Sequence, residues 1–532
     1  MKIQAQIKKD ISQYTLFCFV FAATLLFGLC AHAYRFFNLD FSHDSMLIYE
    51  RPDMSWQISL GRFAQPLYWE VRGDLTAPFL LGLLSLVWMA LANYIVISLL
   101  AIHSPRHTAL LCGLLSTNAV LTFSYATFLP WVDIYMLAYL LAALAAWLAV
   151  RFSWGFWAAW VPLALSLALY QSYLNVTIIL LMIVFIKHII DGLDTKALLI
   201  RIAKYLSALL GGLILYYVVL QIVLSGTAVS LSDTYNGISQ VGNYENISLV
   251  GLIRKTVEFP VRHALHPETY HPRAAALINI AVGLASAVAL IRVTLARKPA
   301  KVPALLLVLC MLAMPFGVNA VYFVSKGTQH SLMIFSFFLL YAFAFMLWEY
   351  HSLLPPARFP RRVSEAAKRI RTLFPPVSSG LLLLVILFNI VFANQVYLKK
   401  ALEYQATMAY MTKLTYSIEQ TEGYVPGETP VIVVGPFETS SLFAEREGFE
   451  NFIDDYGLDR RSAVTYSTTF KQFFNSVLSY QINWIDSAAA RDYAAWPEVR
   501  AMPVYPAKGS CQIVNGVLVA KIRDVYADSA SE

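Results

Sequence analysis

The sequence predicts an α-helical polytopic membrane protein, with about eleven transmembrane helices and a C-terminal soluble α/β domain. Three observations predict it. Of 532 residues, 58% are apolar and only 14% charged, with a mean hydropathy of +0.58, whereas soluble domains carry about 25% charged residues. Apolar runs long enough to span a bilayer recur through the first 397 residues. Basic residues fall in alternate loops between those runs, the charge pattern of a fixed membrane orientation. The net charge of +7 therefore reports topology and not a nucleic-acid surface.

At the N-terminus, Lys2, Lys8 and Lys9 precede an apolar run from Thr15, and Ala31-His32-Ala33 resembles a cleavage site. The run reaches Tyr34, long enough to span, so an uncleaved first helix is expected. Further runs lie near 78–102, 108–128, 134–150, 155–170, 174–190, 205–225, 274–293, 303–324, 331–349 and 378–397. One set of loops holds Lys2, Lys8 and Lys9, then Arg106, Arg151, and Lys187, Lys196, Arg201 and Lys204. It continues through Arg297, Lys298 and Lys301 to Arg358, Arg361, Arg362, Lys368, Arg369 and Arg371. These loops alternate, which puts them together in the cytoplasm, with the N-terminus inside and the C-terminus outside.

The external side has a different character. Loop 35–77 carries Asp40, Asp44, Glu50, Asp53, Glu70 and Asp74 with Arg51, Arg62 and Arg72, and loop 226–273 is rich in Tyr, His and Arg. The expected organisation is a membrane domain over 1–397 with these two external loops, followed by a soluble domain over 398–532. In that tail, Thr429-Pro-Val-Ile-Val-Val-Gly435 reads as a buried strand closed by a glycine turn. Stretches 398–420 and 486–499 read as helices. Cys18, Cys30, Cys112 and Cys310 fall in apolar runs and Cys511 is alone, so neither a disulfide framework nor a metal-ligand spacing is expected.

Ion-coupled carriers place ionisable groups or broken helices at mid-membrane. Here almost no charge lies within the spans, and the ionisable groups gather at the external surface. That suits a site where a lipid headgroup meets a water-soluble group. The first external loop combines His43-Asp44-Ser45, Glu50 and Trp56-Gln57-Ile58-Ser59-Leu60-Gly61-Arg62-Phe63 with Arg72-Gly73-Asp74. Aromatic faces stack on sugars at the interface, an arginine fork grips phosphate, and a carboxylate takes a proton from a hydroxyl. Those are the parts needed for glycosyl transfer from a lipid phosphate. Each also has a plainer role, as solvated acid, snorkelling cation or belt aromatic.

A further acid, Asp133, lies in the short turn before the fourth helix, where it either joins the chemistry or caps that helix. Tyr170-Gln171-Ser172-Tyr173 forms the next external turn, with polar groups in reach of a sugar. Ser325-Lys326-Gly327-Thr328-Gln329-His330 is also external, and His330 reads as a structural hydrogen-bonder rather than a base. Arg254, Lys255, Arg262, His263, His266 and His271 make loop 226–273 basic, fit to attract an anionic acceptor.

The stretch from His43-Asp44-Ser45 through Trp56-Gln-Ile-Ser-Leu-Gly-Arg-Phe63 resembles the phage- and prophage-encoded Gtr-type O-antigen glucosyltransferases, the type II glucosyltransferase family. Asp133 and Tyr170-Gln-Ser-Tyr173 are similar to that family's further external features. The resemblance covers mainly residues 35–200. It implies a GT-C-like membrane enzyme in the bacterial inner membrane, with the soluble tail in the periplasm. It implies undecaprenyl-phosphate glucose as donor and an O-antigen repeat unit as periplasmic acceptor. Partner proteins would make the donor and flip it, and the product would be a modified lipopolysaccharide of altered serotype. Carried onto this chain, Asp44 is the expected general base, with Asp133 and Glu50 as second candidates. Arg62 is the expected phosphate ligand, supported by Arg72 and Lys326. Trp56, Gln57, Tyr170, Gln171 and His330 are the expected sugar-side groups. One acid and a departing phosphate imply a single inverting displacement. No cofactor is expected, and dependence on a divalent metal is left open.

Competing readings keep the same layout. The chain could be another surface-polysaccharide enzyme, an O-antigen polymerase or a lipid A glycosyltransferase. It could also be a non-catalytic flippase, export component or assembly scaffold.

Overall fold

The computed structural model describes residues 2–40, 45, 53–74, 76–233, 248–265, 273–327, 330–355, 361–435, 467–486 and 489–524. The chain divides into two units, the first comprising 1–37, 53–125 and 131–394, the second 38–52, 126–130 and 395–532.

The first unit opens with α1 (Lys2–Phe37). Two short helices follow, α2 (Ser55–Ser59) and α3 (Ala64–Arg72). Next comes α4 (Pro78–Leu100), which starts on a proline, where the missing N–H costs no helical bond. α5 (Pro105–Ser116) and α6 (Ala119–Thr127) are one apolar run interrupted at Thr117 and Asn118. An interruption in lipid must satisfy its freed backbone groups internally. His32 Nε2 meets Ser116 O at 3.0 Å, and Asn118 Nδ2 donates to Leu115 O at 2.7 Å. The spanning run expected near 108–128 is found at Pro105–Thr127, with this break inside it.

α7 (Val132–Arg151), α8 (Gly155–Ala158) and α9 (Trp160–Leu169) lead to α10 (Leu174–Ile190). α11 (Thr195–Thr227) is capped by Asp194, whose side chain accepts from Ala197 N at 2.7 Å. α12 (Leu249–Leu265), α13 (Arg273–Arg297), α14 (Lys301–Val318), α15 (Ala320–Val324) and α16 (Leu339–Ser352) complete the bundle before α17 (Arg361–Glu419). Among the described residues, nine helical segments are long and apolar enough to cross a membrane. The run at 155–170 folds as α8 and α9, about 22 Å long at 1.5 Å per residue. The run at 331–349 begins as 3₁₀ turns at Ser331–Met333 and Phe335–Phe338, leaving only α16 as regular helix.

Small residues let the helices approach. A Cβ on Gly28 of α1 would lie 2.5 Å from Leu86 Cδ2 of α4, so a side chain there would require the Leu86 side chain to move. Deep in the same seam, Asn93 Nδ2 donates to Thr24 Oγ1 at 3.2 Å and Tyr139 OH to Asn93 Oδ1 at 3.0 Å. Glu349 of α16 accepts from Ser104 N at 2.9 Å and meets His107 Nδ1 at 2.8 Å, while Lys204 donates to Ser153 O.

The second unit contains the end of α17, then β1 (Pro430–Val434), α18 (Ser467–Gln472), β2 (Asn483–Trp484), α19 (Ala490–Ala494), α20 (Pro497–Ala501), β3 (Cys511–Val514) and β4 (Val517–Lys521). The strands form one sheet in the order β2-β1-β4-β3, with β1 parallel to both neighbours and β3 antiparallel to β4. Ile432, Val434, Val499, Met502, Val514 and Val519 make its core. β1 is the strand expected at 429–435, closed by Gly435 at φ +109°.

Candidate active site

The segment between α1 and α4 is built from short-range chemistry. Asp53 accepts from Ser55 Oγ at 2.7 Å and Ser55 N at 2.9 Å, which starts α2 and holds this carboxyl below its usual range. α2 stops at Gly61, whose φ of +75° suits glycine. The turn it makes presents main-chain carbonyls to the bundle. Gln171 Nε2 donates to Leu60 O at 2.7 Å, Tyr216 OH donates to Gly61 O at 3.0 Å, and Ser232 N donates to Ser59 O at 3.0 Å. In return Gln65 Nε2 donates to Leu169 O at 2.6 Å, at the end of α9. Phe63 stacks on Tyr216 with centroids 5.7 Å apart.

This docking sets Arg62 over the face of Tyr170, with its Cζ 4.9 Å from the ring centroid. Its Nη1 reaches Gln57 Oε1 at 3.4 Å, and its Nε is buried with no hydrogen-bond partner among the described residues. No described carboxylate pairs with it. A half-buried guanidinium held by an aromatic face and an amide keeps its charge uncompensated, which favours an arriving anion. His330 Nδ1 accepts from Leu332 N at 3.1 Å. Burial, and then the Arg62 charge, push the His330 imidazole down to about 3, so it is a neutral hydrogen-bonding group here.

Arg72, one helix further, is differently placed. Its Nη1 lies 2.8 Å from Asp133 Oδ1, with 3% and 0% of the two side chains exposed. Tyr68 OH donates to Asp133 Oδ2 at 3.0 Å, and Trp88 Nε1 donates to Tyr68 OH at 3.1 Å. Burial first, and then the Asp133 charge, raise the Tyr68 hydroxyl, which stays a donor. The Arg72 guanidinium also lies 3.9 Å over Trp69, whose Nε1 donates to Asp74 Oδ1 at 2.6 Å. Asp133 is not the N-cap of α7; Trp131 holds that position without a side-chain cap, and Asp133 sits one residue inside the first turn. There the exposed N–H groups of the helix favour an acid. Among the described residues, the site thus contains one arginine paired with a buried acid and one arginine without an acid.

A family model described as glucosyl transferase GtrII matches residues 33–348, more than half of the chain. The chain belongs to that family. No curated protein and no solved structure matches it. Membership gives the reaction class, glycosyl transfer. The matched region of this GtrII glucosyltransferase contains every candidate residue named from the sequence, while the sheet of the second unit lies beyond it.

Within the GtrII chain, the structure gathers Gln57, Arg62, Tyr170 and Gln171 around the Gly61 turn, and pairs Arg72 with Asp133. Trp56 stays half exposed. Lys326 lies in a turn at φ +56° before Gly327. Asp44 and Glu50 lie outside the described residues. The sequence assigned no role to Tyr68 and Trp69 and did not point to Tyr216. Tyr68 and Trp69 had a visible signal, since both are aromatic in the loop that carries the arginines, whereas Tyr216 is hidden in an apolar run. Among the described residues, no three His, Cys, Asp or Glu side chains gather as a metal-binding set.

Proposed function

We propose that this protein is an inverting glucosyltransferase of the bacterial inner membrane, moving glucose from undecaprenyl-phosphate glucose to an O-antigen repeat unit in the periplasm. The N-terminus is then cytoplasmic and the soluble unit periplasmic. Other proteins supply the donor, by making it and flipping it across the membrane, and the product is a serotype-modified lipopolysaccharide.

The observation that carries the reading is Arg62, a half-buried guanidinium with no acid among the described residues beside it. In the proposed reaction the acceptor hydroxyl oxygen bonds to the anomeric carbon as the bond from that carbon to the phosphate oxygen breaks. The phosphate leaves with the electron pair, and the hydroxyl proton passes to a carboxylate. We assign Arg62 to the departing phosphate, with Lys326 as a second cation, and Asp44 to the proton. Trp56, Gln57, Tyr170, Gln171 and neutral His330 take the sugar side. Asp133 and Arg72 occupy each other (2.8 Å), which suits Asp133 to positioning Arg72 and leaves Arg62 the more available cation. Glu50 is the remaining candidate for the base.

The test is the mass of the O-antigen repeat from a strain that supplies undecaprenyl-phosphate glucose. Wild type, Arg62→Ala and Asp44→Asn are compared at matched membrane levels. One added hexose per repeat with wild type, lost in both variants, is expected. Removing one such charge-stabilising contact costs about 10²–10³ in rate. No added hexose with wild type across several O-antigen backgrounds would overturn the reaction. Full transfer by Arg62→Ala would overturn the role of that arginine.

A further inference from the structure

α12 divides into three sectors when its residues are spaced at about 100° each. Leu252, Thr256 and Pro260 form a buried stripe packed toward α14 and α15. Pro260 has no N–H for the carbonyl four residues back, and Asn319 Nδ2 donates to that carbonyl, Thr256 O, at 3.3 Å. Phe259 stacks on Tyr322 at 6.4 Å beside the same stripe. α12 is therefore fixed to the bundle by one face.

The remaining surface separates into two flanks. Val250, Ile253 and Val261 lie along one flank, exposed by 79%, 47% and 47%. Arg254, Lys255 and Arg262 lie along the other, all exposed. The one acid among them, Glu258, sits 3.4 Å from Arg254 Nε in a solvent-facing pair that competes weakly with another anion. An apolar flank beside a basic flank is the pattern of a helix lying in a membrane interface, with aliphatic groups at the acyl boundary and cations at the phosphates. Position argues for the same occupant. α12 is strung between α11 and α13, both long and apolar enough to span, so both of its ends are tied to the same membrane surface.

We propose that α12 is a binding surface for anionic lipid headgroups, its phosphate ligands being Arg254, Lys255 and Arg262 and its acyl contact Val250, Ile253 and Val261. Lipid binding at this surface needs no turnover to be observed. The test uses the purified full-length chain in nanodiscs of phosphatidylcholine, doped with spin-labelled phosphatidylglycerol or spin-labelled phosphatidylcholine. Electron paramagnetic resonance then reads the immobilised fraction of each. Wild type is expected to hold phosphatidylglycerol in preference, and R254Q/K255Q/R262Q to reduce that preference at least two-fold. K413Q/R491Q/K508Q, which removes three exposed charges from the second unit, is expected to leave it unchanged. The three α12 charges are all exposed, and monodisperse elution checks that the variant folds. In wild type, 1 M NaCl is expected to lower the preference toward that of the α12 variant. An unchanged preference in the folded α12 variant, or an equal loss in the control, overturns the proposal.

Discussion

Neutralising Arg72 and Asp133 separately and together tests whether the pair is a single buried unit. Arg72→Met keeps an unbranched apolar chain over Trp69 but leaves the Asp133 carboxylate, fully buried, with Tyr68 and the start of α7 as its support. Breaking a buried pair from one side costs about 3–5 kcal/mol, because the remaining charge stays desolvated. At 2.8 Å, the Coulomb attraction is about 6 kcal/mol at an effective dielectric of 20, before desolvation is deducted. Asp133→Asn strands the guanidinium in the same way, although its carboxamide oxygen still accepts a hydrogen bond. The double variant leaves neither charge of this pair buried. Its loss should therefore fall short of the sum of the single losses by about 2 kcal/mol or more, about 30-fold as a rate ratio. A polytopic protein seldom unfolds reversibly, so the assay is the rate of irreversible loss of folded protein in detergent at a fixed temperature. Additive losses, with the double variant inactivating as fast as the product of the singles predicts, would refute the reasoning. The pair would then be a contact without energetic coupling.

Two further outcomes follow from the geometry. His330 is neutral when folded, its ionisation pushed from near 6.5 down to about 3 by burial and then by Arg62. The unfolded chain thus binds a proton that the folded chain refuses. Its contribution to stability should be constant above about pH 6.5 and fall by up to about 1.4 kcal/mol per pH unit as pH drops from there toward 3. Inactivation rates of wild type and His330→Gln between pH 4 and 8 check this; parallel pH profiles would contradict it. In the second unit, Glu403 lies 3.2 Å from Lys399 and 2.9 Å from Lys400, all buried on one face of α17. Glu403→Gln should loosen that unit by about 3–5 kcal/mol, read as faster limited proteolysis after residue 395 in the full-length protein, with the first unit still protected.

The membrane architecture was legible because hydropathy and loop charge vary over lengths of twenty residues, longer than any local ambiguity. β1 was legible because Val431 to Val434 form a β-branched run closed by a glycine. What escaped depends on single residues or on distance along the chain. Thr117 and Asn118 interrupt an otherwise apolar run without altering its average, so the break between α5 and α6 left no trace in composition. α12 lay inside a loop read only as basic, since its helical period is shared among three sectors and interrupted by Pro260. The candidate site was legible as a set of residue types and not as a set of pairs. Arg62 and Arg72 looked alike in sequence, and only contact with Asp133, 61 residues away, separates an occupied cation from an available one.

The turn between α2 and α3 is held through its main chain, at Ser59 O, Leu60 O and Gly61 O. Every residue type brings the same carbonyl. Substitutions at Ser59 and Leu60 can therefore accumulate without unfastening the turn, whereas Gln65, Tyr68 and Arg72 hold α3 by their side chains. The burden of sequence constancy passes to the distant donors, Gln171 and Tyr216, and to Gly61 for its backbone angle. A deep mutational scan scored for folding alone would find tolerance at Ser59 and Leu60 and intolerance at two positions more than one hundred residues downstream. The fastening of this site and its evolvability are located in different parts of the chain.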